Sequence, residues 1–487
     1  MFNRNNFLTS AFIVSLPFGT PVFADAQSTQ ILEEYFGLLG STPLVLDVGD
    51  KEDAGKYSQW NNITLRSPDD LAQIAIPWVK VSKKLLGGFE LTYAEQIDGL
   101  FQSPDPEALD PVKFVIESKG TSIVIGGKEG AREYTSSFDE MTFRTLENPT
   151  MDISTTLKGG TSEQQLTSGD TGKAVGQFRI SEMTMDFTAN VDGQDMSSTS
   201  VMNDFNGRFE FPFYSNFDAE NPVDYIDLSR DLFFDYSITS GNTAITTNSP
   251  AGPIEANGEF GEGVGFFGLE GSVAKLSGTT KDLSYSVNAT AMGLPPMQFS
   301  IAETTADLSL PLDNTDQSKP TGYKIAISEL NISDQVWALF DPTAILPRDS
   351  IDLNIDMTGN IKWLKKLSEI DEKELDKEPP IIIENAKINA FNLKIAGAEL
   401  ETTGSINVDN AQFPPAPDGT VSISLNGAMG LLVKLTELGF VPAPNAAMIQ
   451  GMSGMFFKPG GGGDDHLVSV IEMTKDGHVL ANGIPLK

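Results

Sequence analysis

The chain has no cysteine, only two histidines, and half as many basic residues (33) as acidic ones (67) in its 487 residues. The absence of cysteine excludes disulfide bonds, thiolate metal sites and thiol nucleophiles. Because His466 and His478 are the only imidazoles, a three-histidine metal centre is excluded, and a Ser-His-Asp arrangement would have to use one of them. We therefore expect a protein that is not an enzyme, with no catalytic residues, no cofactor and no metal site.

The shortage of positive charge also restricts the partners. The formal net charge of the chain is −34. A field of this sign repels nucleic acid phosphates and anionic lipid head groups. We expect no nucleic acid partner, and we interpret most of the acidic residues as a solvated surface.

Long apolar runs are absent, and the first residues have the pattern of a secretion signal. Arg4 precedes an apolar stretch over residues 7–16, and Val22-Phe23-Ala24 offers small residues for a signal peptidase. The stretch is too short to span a membrane, and no later run reaches about 18 apolar residues. We predict a signal peptide over residues 1–24, with cleavage after Ala26 as the alternative. The remaining chain is expected in the periplasm, without a transmembrane segment.

Strict alternation of apolar and polar residues dominates the rest of the chain. One example places Ile351, Leu353, Ile355 and Met357 on one side of a strand and Asp352, Asn354 and Asp356 on the other. Such alternation is typical of antiparallel sheets with one dry and one wet face. We predict a β-dominated α+β fold, with long curved antiparallel sheets and a few capping helices.

Three segments share a pattern in which the alternation slips once and then resumes. They are Ile180-Ser-Glu-Met183-Thr-Met185, Ile327-Ser-Glu-Leu330-Asn-Ile332 and Ile388-Asn-Ala-Phe391-Asn-Leu393. Each has apolar residues at positions i, i+3 and i+5. One extra residue in a strand resets the face that points inward, so the pattern predicts β-bulges.

Helices, turns and a domain boundary are predicted between the strands. The predicted helices are a short one after Ser28 or Thr29 that carries Ile31 and Leu32, a brief one over Tyr93 to Phe101, a charged one over Trp363 to Asp376, and a pair over Met429 to Leu438 and Asn445 to Phe456. Lys119-Gly120 is predicted as a turn between two strands. We place the amino-terminal β-rich region at residues 25–255 and the carboxy-terminal region at 256–487, with the glycine-rich stretch Gly252 to Gly271 at the boundary.

One cluster of metal-ligating residue types stands out, Asp464-Asp465-His466. It follows four glycines, and neighbouring side chains on a flexible tether diverge, so we do not predict a metal site there. His478 lies between the turn signals Asp476-Gly477 and Asn482-Gly483 and is predicted to be an exposed hairpin residue.

The carboxyl end resembles known envelope proteins. Val468-Ser-Val470-Ile-Glu-Met473, with Lys475-Asp-Gly-His-Val479-Leu-Ala-Asn482-Gly-Ile-Pro485-Leu after it, is similar to the closing hairpin of AsmA-like and YdgA-like proteins. Residues 320–487 also resemble an uncharacterised alphaproteobacterial family of exported proteins, a domain of unknown function. The resemblance implies a periplasmic protein with long antiparallel strands. AsmA-like relatives hold lipid acyl chains on grooved sheets, whereas this chain differs in having a cleavable signal. No catalytic residues are carried over.

Three functional hypotheses follow. The first is a periplasmic envelope protein that binds a lipid or another apolar ligand on a curved sheet, with Ile351, Leu353, Ile355 and Met357 in the groove. The second is a structural or interaction protein of the envelope that has a filled core, binds no ligand and docks an envelope protein. The third is an outer-membrane β-barrel, which the helices and the terminal Pro485-Leu486-Lys487 disfavour because bacterial barrels usually end in an aromatic residue.

Overall fold

The fold is that of a computed structural model. It describes residues 30–34, 45–54, 56–67, 69–85, 87–103, 111–146, 151–169, 172–191, 193–212, 228–366, 369, 380–411, 415–461, 463 and 465–486. The predicted signal peptide lies outside these residues. Strands dominate and pair antiparallel, with short helices beside them, so the predicted β-dominated α+β class is confirmed.

The chain divides into two compact units. The amino-terminal unit comprises Met1–Val191 and Asn203–Ile226, and the carboxy-terminal unit comprises Asp192–Met202 and Asp227–Lys487. The boundary predicted between residues 255 and 256 falls inside a strand of the carboxy-terminal unit, Gly252–Phe260.

The amino-terminal unit is a meander in which each long strand pairs with the next along the chain. Its elements are α1 (residues 30–34), β1 (Val45–Val48), β2 (Lys51–Asp53), β3 (Tyr57–Arg66), β4 (Ala72–Lys83), β5 (Phe89–Tyr93), β6 (Gln96–Phe101), β7 (Val112–Lys119), β8 (Ser122–Lys128), β9 (Ala131–Leu146), β10 (Met151–Thr167) and β11 (Lys173–Val191), and β12 (Gln194–Pro212) has residues in both units. β5 and β6 follow one another along β4, and β7 and β8 follow one another along β9.

Two local predictions in this unit were wrong. Lys119-Gly120 does not reverse the chain, because Lys119 pairs with Glu140 and Ser122 with Ser137 in one unbroken register along β9. The left-handed conformation of Gly120 (φ 65°) makes a local kink instead of a hairpin. The brief helix predicted over Tyr93 to Phe101 is instead the end of β5 followed by β6, where sheet pairing overrides the local helical pattern.

The apolar face of this meander is largely buried. Ile31 and Leu32 of α1 are completely buried with Trp60, Ile63 and Tyr134 in one continuous core. The predicted amino-terminal helix is therefore confirmed over residues 30–34, and its remaining residues lie outside the described ones. Beside the core, the Arg132 guanidinium donates to the Glu34 carboxylate at 3.0 Å, with both side chains largely shielded from solvent.

The carboxy-terminal unit is a second antiparallel meander. Its strands are β13 (Leu232–Ile238), β14 (Ser240–Ser249), β15 (Gly252–Phe260), β16 (Gly263–Glu270), β17 (Val273–Asn288), β18 (Met297–Pro311), β19 (Lys319–Ile332), β20 (Ile351–Trp363), β21 (Ile381–Ile395), β22 (Ala398–Asp409), β23 (Ala416–Asn426), β24 (Lys458–Pro459), β25 (His466–Met473), β26 (Val479–Ala481) and β27 (Ile484–Pro485). β13 pairs with β16, and β14 pairs with β15. From β17 to β23 each strand pairs with the next.

Helices lie between the later strands of this unit. They are α2 (Asp334–Trp337), α3 (Ala428–Glu437) and α4 (Ala443–Phe456), and the last two confirm the predicted helical pair. The helix predicted over Trp363 to Asp376 does not begin at Trp363. Trp363 closes β20, where its indole N–H donates to the Pro311 carbonyl oxygen at 2.6 Å, and most of the later residues lie outside the described ones.

Two of the three predicted bulges are confirmed. The register against β20 shifts between Ile327 and Leu330, and the register against β22 shifts between Ile388 and Phe391. At the first shift, Glu329 adopts a left-handed conformation (φ 52°), and its N–H donates to the Asp352 carboxylate at 2.8 Å. The segment beginning at Ile180 keeps its register against β10, so it shows no bulge on that side.

Candidate functional site

The strand β20 separates apolar from polar side chains as predicted. Ile351, Leu353, Ile355 and Met357 share one face, and alternation places Asp352, Asn354 and Asp356 on the other. On the polar face, the Asn389 amide donates to the Asp356 carboxylate at 2.8 Å. The four predicted site residues are therefore brought together on one face.

A row of large apolar side chains crosses this face at right angles to the strands. Phe267 on β16 lies opposite Leu276 on β17, which lies opposite Leu308, then Tyr323, then Met357 on β20. We name these five residues the transverse row. Their exposed fractions are 54, 51, 42, 43 and 38% respectively. Four strand spacings of about 4.8 Å make the row about 19 Å long.

The neighbouring positions on the same face continue the apolar surface. Ile355 lies between Ile325 and Phe391, and Leu353 lies between Ile327 and Leu393. These side chains are half-buried by one another. Leu353 and Ile355 thus belong to a broad apolar field, with Met357 at the point where that field meets the transverse row.

Small residues border the transverse row on β16, β17 and β18. Gly265 lies opposite Gly278, which lies opposite Ala306. A Cβ on Gly278 would meet only a backbone oxygen at 3.6 Å, so the space above it is open. The large side chains of the row therefore stand beside a shallow trough at Gly278 and Ala306, whereas the ring of Tyr236 occupies the space above Gly265.

The helices cover one end of the apolar face and stop short of the transverse row. Trp337 of α2 is buried with Leu346 and Ala396, and Ile332, Ile395 and α3 residues pack against this cluster. Asp341 fixes the loop that follows α2, because its carboxylate accepts the N–H groups of Ile345 at 3.0 Å and Leu346 at 2.8 Å. Burial raises the pKa of Asp341, but these backbone donors, the charge of Arg348 and the Thr343 hydroxyl together hold the pKa below its ordinary value.

Of the residues that sequence analysis considered for metal binding, Asp465 and His466 make structural contacts, and Asp464 lies outside the described residues. The Asp465 carboxylate accepts the backbone N–H groups of Met429 at 3.0 Å and Gly430 at 2.7 Å, so it caps α3. Nδ1 of His466 lies 2.8 Å from the Gly461 carbonyl oxygen, and its Nε2 lies 3.1 Å from the Ser424 hydroxyl. His478 is exposed in the final hairpin, as predicted.

Sequence reasoning missed most of the transverse row. The alternation of β16 to β19 was visible, but the register that sets Phe267, Leu276, Leu308 and Tyr323 side by side depends on strand pairing. The only available signal was the recurrence of a large apolar residue on one face of each successive strand.

A comparison with protein families matches the part of the chain that contains the predicted site residues. Residues 276–486 match a protein family described as "Uncharacterized protein conserved in bacteria (DUF2125)". The match runs from β17 to β27 and therefore includes four residues of the transverse row and all four predicted site residues. No curated protein and no solved structure matches the chain.

The matched family description assigns no function, so the predicted domain of unknown function is supported. The AsmA-like relationship and the alphaproteobacterial origin stay predictions. Among the described residues, no helix combines the length and the hydrophobicity needed to cross a membrane.

Proposed function

We propose that the carboxy-terminal unit binds a linear apolar ligand, the acyl chain of a lipid, on its apolar face. In this proposal the protein acts in the periplasmic envelope and is not an enzyme. The observation that carries the proposal is the transverse row, in which five large apolar side chains on adjacent strands are all more than a third exposed. Soluble proteins rarely leave such a contiguous apolar surface without a binding role.

The length of the row fits a long acyl chain. An extended hydrocarbon chain advances about 1.3 Å per carbon, given C–C bonds of about 1.5 Å, so about 19 Å accommodates about fifteen carbons. Covering half of these methylenes contributes about 6 kcal/mol at about 0.8 kcal/mol per buried CH₂. This gross gain is large enough to offset much of the entropic cost of association.

The environment of the row supports a hydrocarbon better than a polar ligand. On one side, the row is bordered by a second row of adjacent positions that runs from Gly278 and Ala306 to Ile325, Ile355 and Phe391. Binding sites for polar ligands place a few convergent hydrogen-bonding groups in the site. In the transverse row the Tyr323 hydroxyl is the sole side-chain polar group.

Native mass spectrometry of the exported chain, purified from the periplasm without detergent, tests the proposal. We expect an adduct of lipid mass that is lost on denaturation. Met357→Asp, which puts a charge into the row, should abolish the adduct. Thr358→Asp is the matched control, because it adds the same charge to the exposed neighbour on the opposite face and should leave the adduct in place.

The competing account is a structural envelope protein that binds no ligand. The filled core of the amino-terminal unit favours it for that half of the chain. A bare polypeptide mass for the wild-type protein would contradict the acyl-chain proposal and support the competing account. Equal adducts in both variants would contradict the proposed site on the transverse row.

The proposed compartment has its own test. Cell fractionation should place the protein in the periplasmic fraction, and intact-mass measurement should give a chain that begins at Asp25, or at Gln27 if cleavage follows Ala26. A cytoplasmic protein that retains residues 1–24 would contradict the signal-peptide prediction.

A further inference from the structure

The helix α4 differs in composition from the rest of the chain. Residues 438–457, which include α4, contain no charged residue, although Asp, Glu, Lys and Arg make up 21% of the chain. The larger segment 427–457 has one charge of each sign, Lys434 and Glu437, and a net charge of zero. This neutral segment belongs to a chain whose net charge is −34.

The exposure of α4 does not match its composition. Met448, Ile449, Met452 and Met455 are 58, 43, 46 and 58% exposed, and Ala446 is the buried residue of the helix. A helix that is apolar on most sides is normally covered by protein or lipid. The space above Gly451 and Gly454 is open, so no described side chain covers the helix there.

The carboxy-terminal end of α4 is fixed by hydrogen bonds. The Phe456 carbonyl oxygen accepts hydrogen bonds from the Ser469 hydroxyl at 2.6 Å and from the Asn482 amide at 2.8 Å. The preceding helix, α3, packs with Leu431 and Leu435 against the buried cluster at the end of the apolar face. The exposed helix is therefore held beside the buried cluster at the end of the apolar face.

We propose that α4, with the exposed Val433 and Phe440 beside it, docks on the surface of a zwitterionic phospholipid bilayer. This inference rests on the proposed function, because docking would bring bilayer acyl chains to the end of the apolar face. The helix of fourteen residues is about 21 Å long at about 1.5 Å per residue. It is too short to cross a hydrocarbon core of about 30 Å and would lie in the plane of the interface.

The negative net charge of the chain favours a zwitterionic bilayer over an anionic one. A surface rich in anionic lipids would repel the rest of this acidic chain. A zwitterionic surface imposes no such repulsion, and the uncharged segment loses no ionic hydration when it enters the interface.

The side chains of α4 favour lipid over a protein partner. Protein interfaces concentrate their binding energy in Trp, Tyr and Arg residues and have a polar rim. The exposed large side chains of α4 are three methionines and one isoleucine. Methionine is flexible enough to pack against disordered hydrocarbon, which requires no complementary hydrogen-bonding groups.

Flotation of the full exported chain with vesicles tests this docking. We expect the wild-type protein to float with phosphatidylcholine vesicles, and to float less when phosphatidylglycerol replaces a third of the lipid. Met452→Glu should weaken the partition about tenfold or more. Gln450→Glu is the matched control, because it adds the same charge on the side of α4 turned away from the methionines and should float like the wild type.

Two variants separate this inference from the proposed function. Met452→Glu should keep the lipid adduct in native mass spectrometry, while Met357→Asp should lose the adduct and still float. Absence of wild-type flotation with phosphatidylcholine, flotation that depends on phosphatidylglycerol, or equal effects of the two α4 variants would overturn the docking proposal. Melting temperatures equal to that of the wild type establish that the α4 variants are folded.

Discussion

The two units use the same meander and the same alternation, yet only the amino-terminal unit buries its apolar face. Among the described residues, twenty buried apolar residues lie in the amino-terminal unit and twelve in the carboxy-terminal unit, six of which are alanine. The exposed large apolar residues are distributed in the opposite way, with two in the first unit and twenty-three in the second.

This difference shows that alternation determines which side chains share a face of the sheet. Whether that face becomes a buried core or stays exposed depends on whether another element packs against it. In the amino-terminal unit, Ile31 and Leu32 of α1 complete the core. In the carboxy-terminal unit, the described helices pack at one end and leave the transverse row exposed. The same sheet architecture thus yields a core in one unit and a candidate binding surface in the other.

The largest expected effect comes from shortening a leucine in each unit. Leu91 is 2% exposed in the amino-terminal core, and Leu91→Ala should lower the free energy of unfolding by about 3 kcal/mol, since it removes packed methyl groups and leaves a cavity. Leu308 is 42% exposed, and Leu308→Ala should cost less than about 1 kcal/mol. Urea denaturation of both variants provides the measurement. Equal losses would contradict the contrast between the units.

The next effect concerns the shielded ion pair of the amino-terminal unit. Glu34→Gln leaves the Arg132 guanidinium without its charged partner, and we expect a loss of about 2 kcal/mol, less than for a fully buried pair. Glu182→Gln breaks the solvent-exposed pair with Lys158 and serves as the control, with little expected change. Thermal melts of the two variants compare them. A larger loss of stability for Glu182→Gln would show that shielding from solvent does not account for the contribution of the Glu34–Arg132 pair.

A smaller effect should distinguish two glycines. A Cβ at Gly99 would collide with the ring of Phe114 on the opposite strand, so Gly99→Ala should destabilise the protein by about 1–2 kcal/mol. Gly278 borders the open trough, and Gly278→Ala should stabilise its strand by about 0.5 kcal/mol because alanine restricts the unfolded chain. Denaturation midpoints measure both effects. A loss at Gly278 as large as that at Gly99 would mean that the trough is filled.

The smallest effect is a dependence on pH. Because the pKa of Asp341 is lower in the folded protein than its ordinary value of about 3.9, its stabilising contribution is complete above that value. The contribution is lost as the pH falls through the folded pKa. The melting temperature of the wild type should therefore fall more steeply than that of Asp341→Asn below about pH 4. Parallel curves would contradict the assigned role of this carboxylate.

Parts of the fold could be predicted from sequence because they follow local periodicity. The period of two predicted the faces of β20, and the slip at Ile327 to Leu330 predicted a bulge that the pairing confirms. Gly120 was misread because a glycine with positive φ serves a hairpin or a kink equally well. Local sequence cannot distinguish these two uses.

The candidate site was only partly predictable, because its neighbours come from distant strands. Met357 was predicted, but its adjacency to Tyr323 depends on the register between β19 and β20. Likewise, Asp465 gave no sequence signal that it caps α3, a contact that spans 36 residues along the chain. Such long-range contacts are set by the assembled sheet rather than by local propensity.

The central claim is that lipid covers the transverse row in the working protein, and photo-crosslinking in cells tests it most directly. A benzophenone amino acid would replace Leu308 in the row or its neighbour Ser309, which points to the opposite face. The account predicts that irradiation attaches a species of lipid mass at position 308 and none at position 309. Lipid attached equally at both positions, or no lipid at position 308 in protein whose fold is intact, would contradict it.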